Sequence, residues 1–328
     1  MLLNLNIRKY STGLLLFIVL QLLITKTYAQ TKEEQNPLVA DPTIFLDNST
    51  YYLYGTGGGN KDNGFKVFTS TDQKQWKDRG FALKKSENYG SKGFWAPQVF
   101  KHGNKYYMAY TASEHIAVSI ADSPLGPFTQ KAKIPLDSNT RMIDPFIWID
   151  PSGTIYLYHV RLQKGNRIFV AEMNKELTSI KNETLKECIV AKEGWEDTQN
   201  AEWKVAEGPT ILKHKDLYYL IYSANDFRNP DYAVGYAISK TLLGPWKKFE
   251  GNPIISRQKL DFNGTGHGDV VIDKKGKMWY VFHTHNIQES VAPRKTAIIE
   301  LRFEKQGNGL PDKIIALPKT FRFLEKTK

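Results

Sequence analysis

The chain has 328 residues, of which 41% are hydrophobic, so it is long enough to bury a large core. Its formal net charge is +11, but the lysines are spread over turns and form no basic stripe, which argues against a nucleic-acid groove. The single cysteine, Cys188, excludes an internal disulfide framework, and we interpret it as a small apolar side chain rather than a catalytic thiol.

The N-terminal segment differs in composition from the rest of the chain. Arg8 and Lys9 precede an apolar run over residues 14–24, and small residues end at Ala29. This is the pattern of a secretory signal peptide. A membrane anchor is the alternative, but the run is much shorter than the about 20 residues that a spanning helix needs. The sequence therefore predicts cleavage after Ala29, a secreted protein (periplasmic, cell-surface or extracellular), no membrane span, and a single domain over residues 30–328.

Five segments of the remaining chain share one pattern, in which a short apolar strand, a polar turn and an aromatic-rich strand follow one another. These segments are 41–54, 96–110, 144–159, 208–222 and 268–283. Aligned on this pattern, they begin with Asp41, Ala96, Asp144, Gly208 and Gly268. A further alternating strand follows each hairpin, over residues 66–72, 116–123, 168–174, 232–239 and 296–303. Candidate fourth strands carry Trp76, Phe128 and Trp246.

The spacing of these repeats indicates the fold. Three to four strands repeated every 50 to 60 residues or so are typical of the blades of a β-propeller. The sequence therefore predicts an all-β protein, a five-bladed β-propeller. A β-sandwich also uses many short strands, but it does not predict five copies of one hairpin in a fixed register.

Three carboxylates occupy related places in the repeats. Asp41 and Asp144 begin repeats 1 and 3, and Glu207 directly precedes repeat 4. The innermost strand of each blade lines the channel of a propeller, so these side chains should converge at one end of it, beside Trp95 and His267. A single Asp before Pro is a common turn residue. Three converging acids repel one another and raise at least one pKa, which suits acid–base chemistry.

The segments ADPTIF, IDPFIW and AEGPTILK, followed by GTGHGDV, resemble glycoside hydrolase family 43 over essentially the whole chain after the signal peptide. The resemblance implies an inverting glycosidase that acts on α-L-arabinofuranosides or β-xylosides of plant-type polysaccharides. It implies that Asp41 is the general base and Glu207 the general acid. Asp144 would be a third carboxylate, an anion that keeps Glu207 protonated and orients it.

Other residues are candidates for binding rather than proton transfer. The resemblance implies that Arg294 contacts the substrate and that His267 lies near the propeller axis, where it contacts a metal ion or an ordered water. Calcium could therefore lie in the central channel, although the chemistry needs no cofactor and calcium prefers oxygen ligands. Trp95 is a candidate platform for stacking a sugar, with structural packing as the alternative.

Three other functions compete with this interpretation. A non-catalytic carbohydrate-binding propeller would be expected to repeat its binding residues in several blades, whereas the polar residues here differ from blade to blade. A purely structural propeller does not explain the three carboxylates. The retaining propeller enzymes that act on fructans normally have Cys after the acidic Glu, whereas Gly208 follows Glu207; the pair Glu187-Cys188 lacks the first-strand context.

Overall fold

The computed structural model describes residues 37–57 and 62–326, so the predicted signal peptide lies outside the described residues. Its strands form five sheets, antiparallel except where the last strand joins blade 1; these sheets are the five blades of a β-propeller and confirm the predicted fold. Blade 1 contains β1 (Val39–Asp47), β2 (Thr50–Gly57), β3 (Gly64–Ser70) and β4 (Gln75–Lys84). Blade 2 contains β5 (Trp95–His102), β6 (Lys105–Ala112) and β7 (His115–Ala121). Blade 3 contains β8 (Met142–Ile149), β9 (Ile155–Leu162), β10 (Asn166–Glu172) and β11 (Lys186–Ile189).

The last two blades follow the same chain order. Blade 4 contains β12 (Ala206–His214), β13 (Leu217–Ala224), β14 (Ala233–Ser239) and β15 (Lys247–Lys248). Blade 5 contains β16 (Gly266–Ile272), β17 (Met278–Thr284), β18 (Lys295–Glu304), β19 (Lys313–Ala316) and β20 (Arg322–Phe323), and the last strand of the described residues is β21 (Glu325–Lys326). The one α-helix among the described residues is α1 (Arg257–Leu260), and short 3-10 helices span Lys85–Glu87, Asn182–Thr184, Gly194–Glu196 and Pro318–Thr320. No described helix has the length and apolar character that crossing a membrane requires.

The alternation of side chains along each strand explains the packing of the blades. Successive residues of a strand point to opposite faces of its sheet. In β2, Leu53 therefore packs against blade 5 and its neighbour Tyr54 packs against blade 2, and both are fully buried. The described residues form five hydrophobic clusters, one at each interface between adjacent blades. Burial of a large apolar side chain contributes about 1.5–3 kcal/mol, so these interfaces hold the ring together without a disulfide.

The two ends of the described chain meet where the ring closes. Strand β21 pairs in parallel with β4, the outermost strand of blade 1. Just before it, Leu324 is fully buried between blades 5 and 1, and its backbone N–H donates to the carbonyl of Thr296. The N–H of Val39 donates to the hydroxyl of Thr296. The ring is thus closed by non-covalent contacts between its first and last blades.

The candidate fourth strands are realised to different extents. Trp76 lies in β4, and Trp246 directly precedes the two-residue strand β15. Blade 2 has three strands, because the segment at Phe128 makes only single bridges, to Leu83 of blade 1 and through Thr129 to Ile120. Cys188 is a free, partly buried thiol at the edge of the core between blades 3 and 4, and burial raises its pKa.

Candidate active site

A β-bulge near the start of each innermost strand turns one residue toward the channel. The first residues of the five bulges are Asp41, Ala96, Asp144, Gly208 and His267. They share a positive φ, with values of 46°, 45°, 55°, 61° and 43° respectively, and all line the central channel. A bulge re-aims a side chain in this way at the rim of a closed sheet structure. The repeats therefore bring these five positions together, and in blades 1 to 4 they are the residues that the sequence predicted.

In blade 5 the bulge lies one residue earlier than the sequence predicted. The N–H groups of Ala96, Asp144 and His267 donate to hydroxyl groups of the preceding blade, at 2.9, 2.9 and 2.7 Å. His267, rather than Gly268, therefore occupies the place that Asp41 and Asp144 hold in their blades. In blades 1 to 4 a proline, which has no N–H, follows this residue inside the bulge, and blade 5 has no proline to mark the position.

Gly208 occupies the equivalent place in blade 4, where the ring of His267 leaves no room for a side chain. A Cβ atom on Gly208 would lie 2.9 Å from two carbon atoms of that ring. The carboxylate of blade 4 therefore comes from the preceding residue, Glu207, which is still paired with Ser223 in the regular part of the sheet.

Asp41 is buried and surrounded by positive charge and hydrogen-bond donors. Arg294 Nη1 lies 3.0 Å from Oδ1, and the Thr56 hydroxyl donates to Oδ2 at 2.6 Å. The Nδ1 atom of His267 lies 3.4 Å from Oδ1 of Asp41, and the Nδ1 atom of His283 lies 3.3 Å from the same oxygen. Burial alone would raise the pKa of Asp41, but the Arg294 charge and the two histidines hold this pKa well below its usual range. Asp41 is therefore an ionised carboxylate over the whole neutral range.

Glu207 is buried in the same channel but favours the opposite protonation state. Tyr232 donates its hydroxyl to Oε1 at 2.8 Å, and the Asn166 side-chain amide donates to Oε2 at 2.8 Å. Burial is the main reason that the pKa of Glu207 rises to about 7; the two hydrogen bonds oppose this rise, and the charges of Asp41 and Asp226 add to it. At neutral pH a large fraction of Glu207 thus carries a proton.

Asp144 lies close to Glu207 and competes with it for a proton. One oxygen of each carboxyl group and one ring nitrogen of His267 lie within 4.8 Å of one another. Burial, and then the charges of Glu207 and Asp41, raise the pKa of Asp144 well above its usual range, against one hydrogen bond from the Gly208 N–H at 3.3 Å. The expected arrangement, an Asp144 anion beside a protonated Glu207, therefore becomes a pair of carboxyl groups that titrate together.

The two histidines at the base carry no charge at neutral pH. Burial, followed by the nearby Arg294 charge, lowers the pKa of His283 to about 3. Burial also lowers the pKa of His267, against the opposing charge of Asp41. His283 Nδ1 accepts a hydrogen bond from the backbone N–H of Asp41 at 3.2 Å, and its Nε2 lies 3.3 Å from Arg294 Nη1. These rings position the base without adding charge.

The structure places the remaining predicted residues in or beside this site. Arg294 binds Asp41 with both terminal nitrogens and stacks on Phe227, with 4.6 Å between the guanidinium carbon and the ring centre. Trp95 is 36% exposed at the start of β5. Its ring lies against Gly93, where a Cβ atom would approach the ring to 2.9 Å. Arg294 therefore acts on the base, and Trp95 leaves part of its ring exposed to solvent next to Ala96, which lines the channel.

Several residues of the site were not anticipated from the sequence. They are Thr56 and His283 next to Asp41, and Tyr232 and Asn166 next to Glu207. His283 carried a signal, because it is a polar residue inside the aromatic-rich strand of repeat 5. Asn166 and Tyr232 lie at loop ends, where nothing in the sequence indicates which blade they contact.

If the described residues of this site bound a metal ion, the site would lose its proton donor. Asp144, Glu207 and His267 form the one group of at least three potential ligands found among them. A divalent cation bound by all three would keep both carboxyl groups ionised and leave no acid. The adjoining channel offers a volume of ≈ 20 Å³, about one water molecule, and Asp269 as a further carboxylate, whereas calcium takes six to eight oxygen ligands. These residues therefore do not fit the calcium ion that the resemblance suggests.

Comparison with known proteins places this geometry in a family. The model of the family Glycosyl hydrolases family 43 matches residues 35–308. The crystal structure of an endo-1,4-beta-xylanase from Bacteroides thetaiotaomicron VPI-5482 is 42% identical, with a TM-score of 0.83, and the match covers 90% of this chain and 98% of that chain.

Two curated proteins show a more distant similarity. A beta-D-galactofuranosidase of Aspergillus niger is 24% identical over 322 residues, which cover 89% of this chain and 88% of that protein. The xylosidase/arabinosidase 43A of Humicola insolens is 24% identical over 331 residues, which cover 85% of this chain and 98% of that protein.

Proposed function

Because the chain belongs to glycosyl hydrolase family 43 and is a glycosidase, we propose that it cleaves α-L-arabinofuranosidic or β-xylosidic bonds of plant-type polysaccharides with inversion of configuration. In this proposal Asp41 is the general base and Glu207 the general acid. Membership of the family favours this function over the alternative of a non-catalytic carbohydrate-binding propeller.

The proposal depends on one observation: two buried carboxyl groups in the same channel favour opposite protonation states. The Arg294 charge outweighs burial at Asp41 and holds its pKa low, whereas burial raises the pKa of Glu207 to about 7. An ionised base and a protonated acid are what hydrolysis of a glycosidic bond requires.

The proposed reaction is a single displacement. A water molecule held by Asp41 attacks the anomeric carbon while Glu207 donates its proton to the glycosidic oxygen. The bond between the anomeric carbon and that oxygen breaks, and Asp41 takes a proton from the attacking water. The product carries the new hydroxyl on the opposite face of the sugar. Asp41 then releases its proton to solvent and Glu207 takes one up, which restores both groups for the next turnover.

The neighbours of the two carboxyl groups have distinct proposed roles. Arg294 keeps Asp41 ionised, and its guanidinium is also the proposed contact for a sugar hydroxyl. Asp144 shares its proton with Glu207 and so keeps the acid supplied. Trp95, exposed at the rim, is the proposed stacking surface for the bound sugar. His267 is proposed to orient Asp41 and an ordered water, with no metal ion in the chemistry.

The substrate class is proposed from the similar proteins, whose names refer to xylose, arabinose or galactofuranose linkages. Polymers of these sugars are extracellular and too large to cross a membrane. We therefore also propose that the chain is secreted, which agrees with the signal peptide expected at residues 1–29.

The test is a panel of 4-nitrophenyl α-L-arabinofuranoside, β-D-xyloside and β-D-galactofuranoside assayed with the wild type, followed by a disaccharide of the released sugar assayed with the wild type and Glu207→Ala. We expect release from one glycoside, a loss of about 10²–10⁴-fold in the variant, and an inverted first product by proton NMR. The variant Glu176→Ala, at an exposed position of blade 3, should behave as the wild type. Equal activity of Glu207→Ala and the wild type would refute the assignment of the acid.

A further inference from the structure

Asn166 and Trp203 connect the acid to the surface of the protein through two hydrogen bonds. The Asn166 side chain donates from Nδ2 to Glu207 Oε2 at 2.8 Å, and its Oδ1 accepts from Trp203 Nε1, also at 2.8 Å. An indole nitrogen can only donate, so Trp203 must face the amide oxygen and the amide nitrogen must face Glu207. The orientation of the Asn166 amide is therefore determined by both of its neighbours.

The backbone holds this chain of contacts in place. Asn166 is the first residue of β10, and its N–H donates to the carbonyl of Lys204 at 2.8 Å. Gly165 packs on the same carbonyl so closely that a Cβ atom there would lie 2.6 Å from the oxygen. The segment that carries Trp203 thus lies directly on the β9–β10 turn and leads four residues later into Glu207.

The two oxygens of Glu207 face different surroundings. Oε1 accepts from Tyr232, which is fully buried, whereas Oε2 accepts from Asn166 on the side of Trp203. Trp203 is 48% exposed, so its edge is tied to the site while much of its ring remains open to solvent. An exposed tryptophan offers an aromatic face that can cover the apolar C–H groups of a sugar.

From this geometry we infer that Trp203 is the platform for the leaving-group sugar and that Asn166 is a positioning residue that links the platform to Glu207. The inference rests on the proposed function, in which Glu207 protonates the oxygen between the two sugars. The sugar beyond that oxygen leaves on the solvent side of the acid, where Trp203 lies.

The role of Asn166 is electrostatic as well as geometric. Its amide donates to the carboxylate that forms when Glu207 gives up its proton, so the hydrogen bond strengthens as the proton moves. The same hydrogen bond lowers the pKa of Glu207. A sugar that packs on Trp203 would fix the indole against Oδ1 of Asn166 and so keep Nδ2 of Asn166 in contact with Glu207.

The test for Asn166 measures the titration of Glu207 directly, by NMR of protein labelled with carbon-13 in the glutamate carboxyl groups, with Glu207→Gln for assignment. Loss of the donor in Asn166→Ala should raise the pKa of Glu207 by about one pH unit or more. Asn166→Asp should raise it further, because it adds a like charge. Asn182→Asp, at an exposed position of the same blade, is the matched control and should leave it unchanged.

The test for Trp203 compares two leaving groups. Trp203→Ala should lower kcat/KM about tenfold for a xylo- or arabino-disaccharide and much less for the matching glycosyl fluoride, which has no leaving-group sugar. Trp203→Phe keeps the ring face but loses the N–H. It should retain most of the disaccharide activity and shift the Glu207 titration in the same direction as Asn166→Ala.

The outcomes separate this inference from the proposed function. An unchanged Glu207 titration in Asn166→Ala, or equal losses on the two leaving groups in Trp203→Ala, would overturn the inference while the wild type remains an active glycosidase. Absence of any wild-type hydrolysis would instead refute the proposed substrate class. A shifted titration in that case would still support the contact between Asn166 and the acid, since NMR does not depend on turnover.

Discussion

Removal of the Arg294 charge should raise the pKa of Asp41, because burial of this carboxyl group would no longer be opposed by a neighbouring positive charge. In Arg294→Met the contacts from Nη1 and Nη2 to Asp41, at 3.0 and 3.5 Å, are lost, while the Thr56 hydrogen bond and the two histidines remain. Because Arg294 is the largest of the influences that lower the pKa of Asp41, this pKa should rise and burial should then dominate.

The magnitude follows from the geometry of the ion pair. At 3.0 Å and an effective dielectric constant of about 20, the two charges attract by about 5 kcal/mol before solvation is counted. Loss of one partner of a buried pair typically costs about 3–5 kcal/mol. One pKa unit corresponds to about 1.4 kcal/mol, so allowing for water that enters the space left by Arg294, we expect a rise of about two units.

The assay is the pH dependence of kcat/KM, which reports the free enzyme. The base works only when ionised, so the acidic limb should move to higher pH by about two units in Arg294→Met. The alkaline limb, set by Glu207, should move less. Arg302→Met, an exposed arginine of the same blade, is the control. An unmoved acidic limb with only a raised KM would refute this reasoning and leave Arg294 as a substrate contact alone.

Three further predictions concern the base, the ring closure and metal ions. Asp41→Asn should lower kcat by about 10²–10⁴-fold for good and poor leaving groups alike, because the base acts on the water; recovery with a better leaving group would contradict this. Leu324→Ala should lower the free energy of unfolding by about 2–5 kcal/mol in urea denaturation, since Leu324 is fully buried where the ring closes, and a change below about 1 kcal/mol would show that the closure adds little. Treatment with EDTA should leave kcat/KM within about twofold of its untreated value, because a divalent ion bound at Glu207 would keep the acid ionised and the proposed chemistry therefore uses none. A large loss that calcium restores would contradict the proposed chemistry.

The ring of blades was predictable because each repeat contains residues that fix its alignment with the others. The aromatic-rich second strand and the proline before it recur at nearly constant spacing, and the five inter-blade clusters follow from the alternation of side chains. The register failed at His267, where no proline marks the bulge and the strand begins one residue differently. The missing fourth strand of blade 2 likewise left no signal, because Phe128 contacts the sheet through single bridges.

The site was predictable where its residues come from the repeated first strands, and not where they come from elsewhere. Asp41, Asp144 and Glu207 converge because the blades repeat. Asn166 and Tyr232 reach Glu207 from a turn and a loop, whose directions depend on packing between neighbouring blades. The sequence predicted that at least one pKa must rise. Which one rises depends on distances, above all the short contact that Arg294 makes with Asp41.

If Glu207 protonates the leaving group, the loss of activity in Glu207→Ala must depend on how much protonation the leaving group needs. We would measure kcat/KM for a disaccharide and for the matching 2,4-dinitrophenyl glycoside, whose leaving group needs no proton. We expect a loss of about 10²–10⁴-fold on the disaccharide and little loss on the dinitrophenyl glycoside. Equal losses on both substrates would contradict the assignment, because a residue that only binds or supports the site affects both alike.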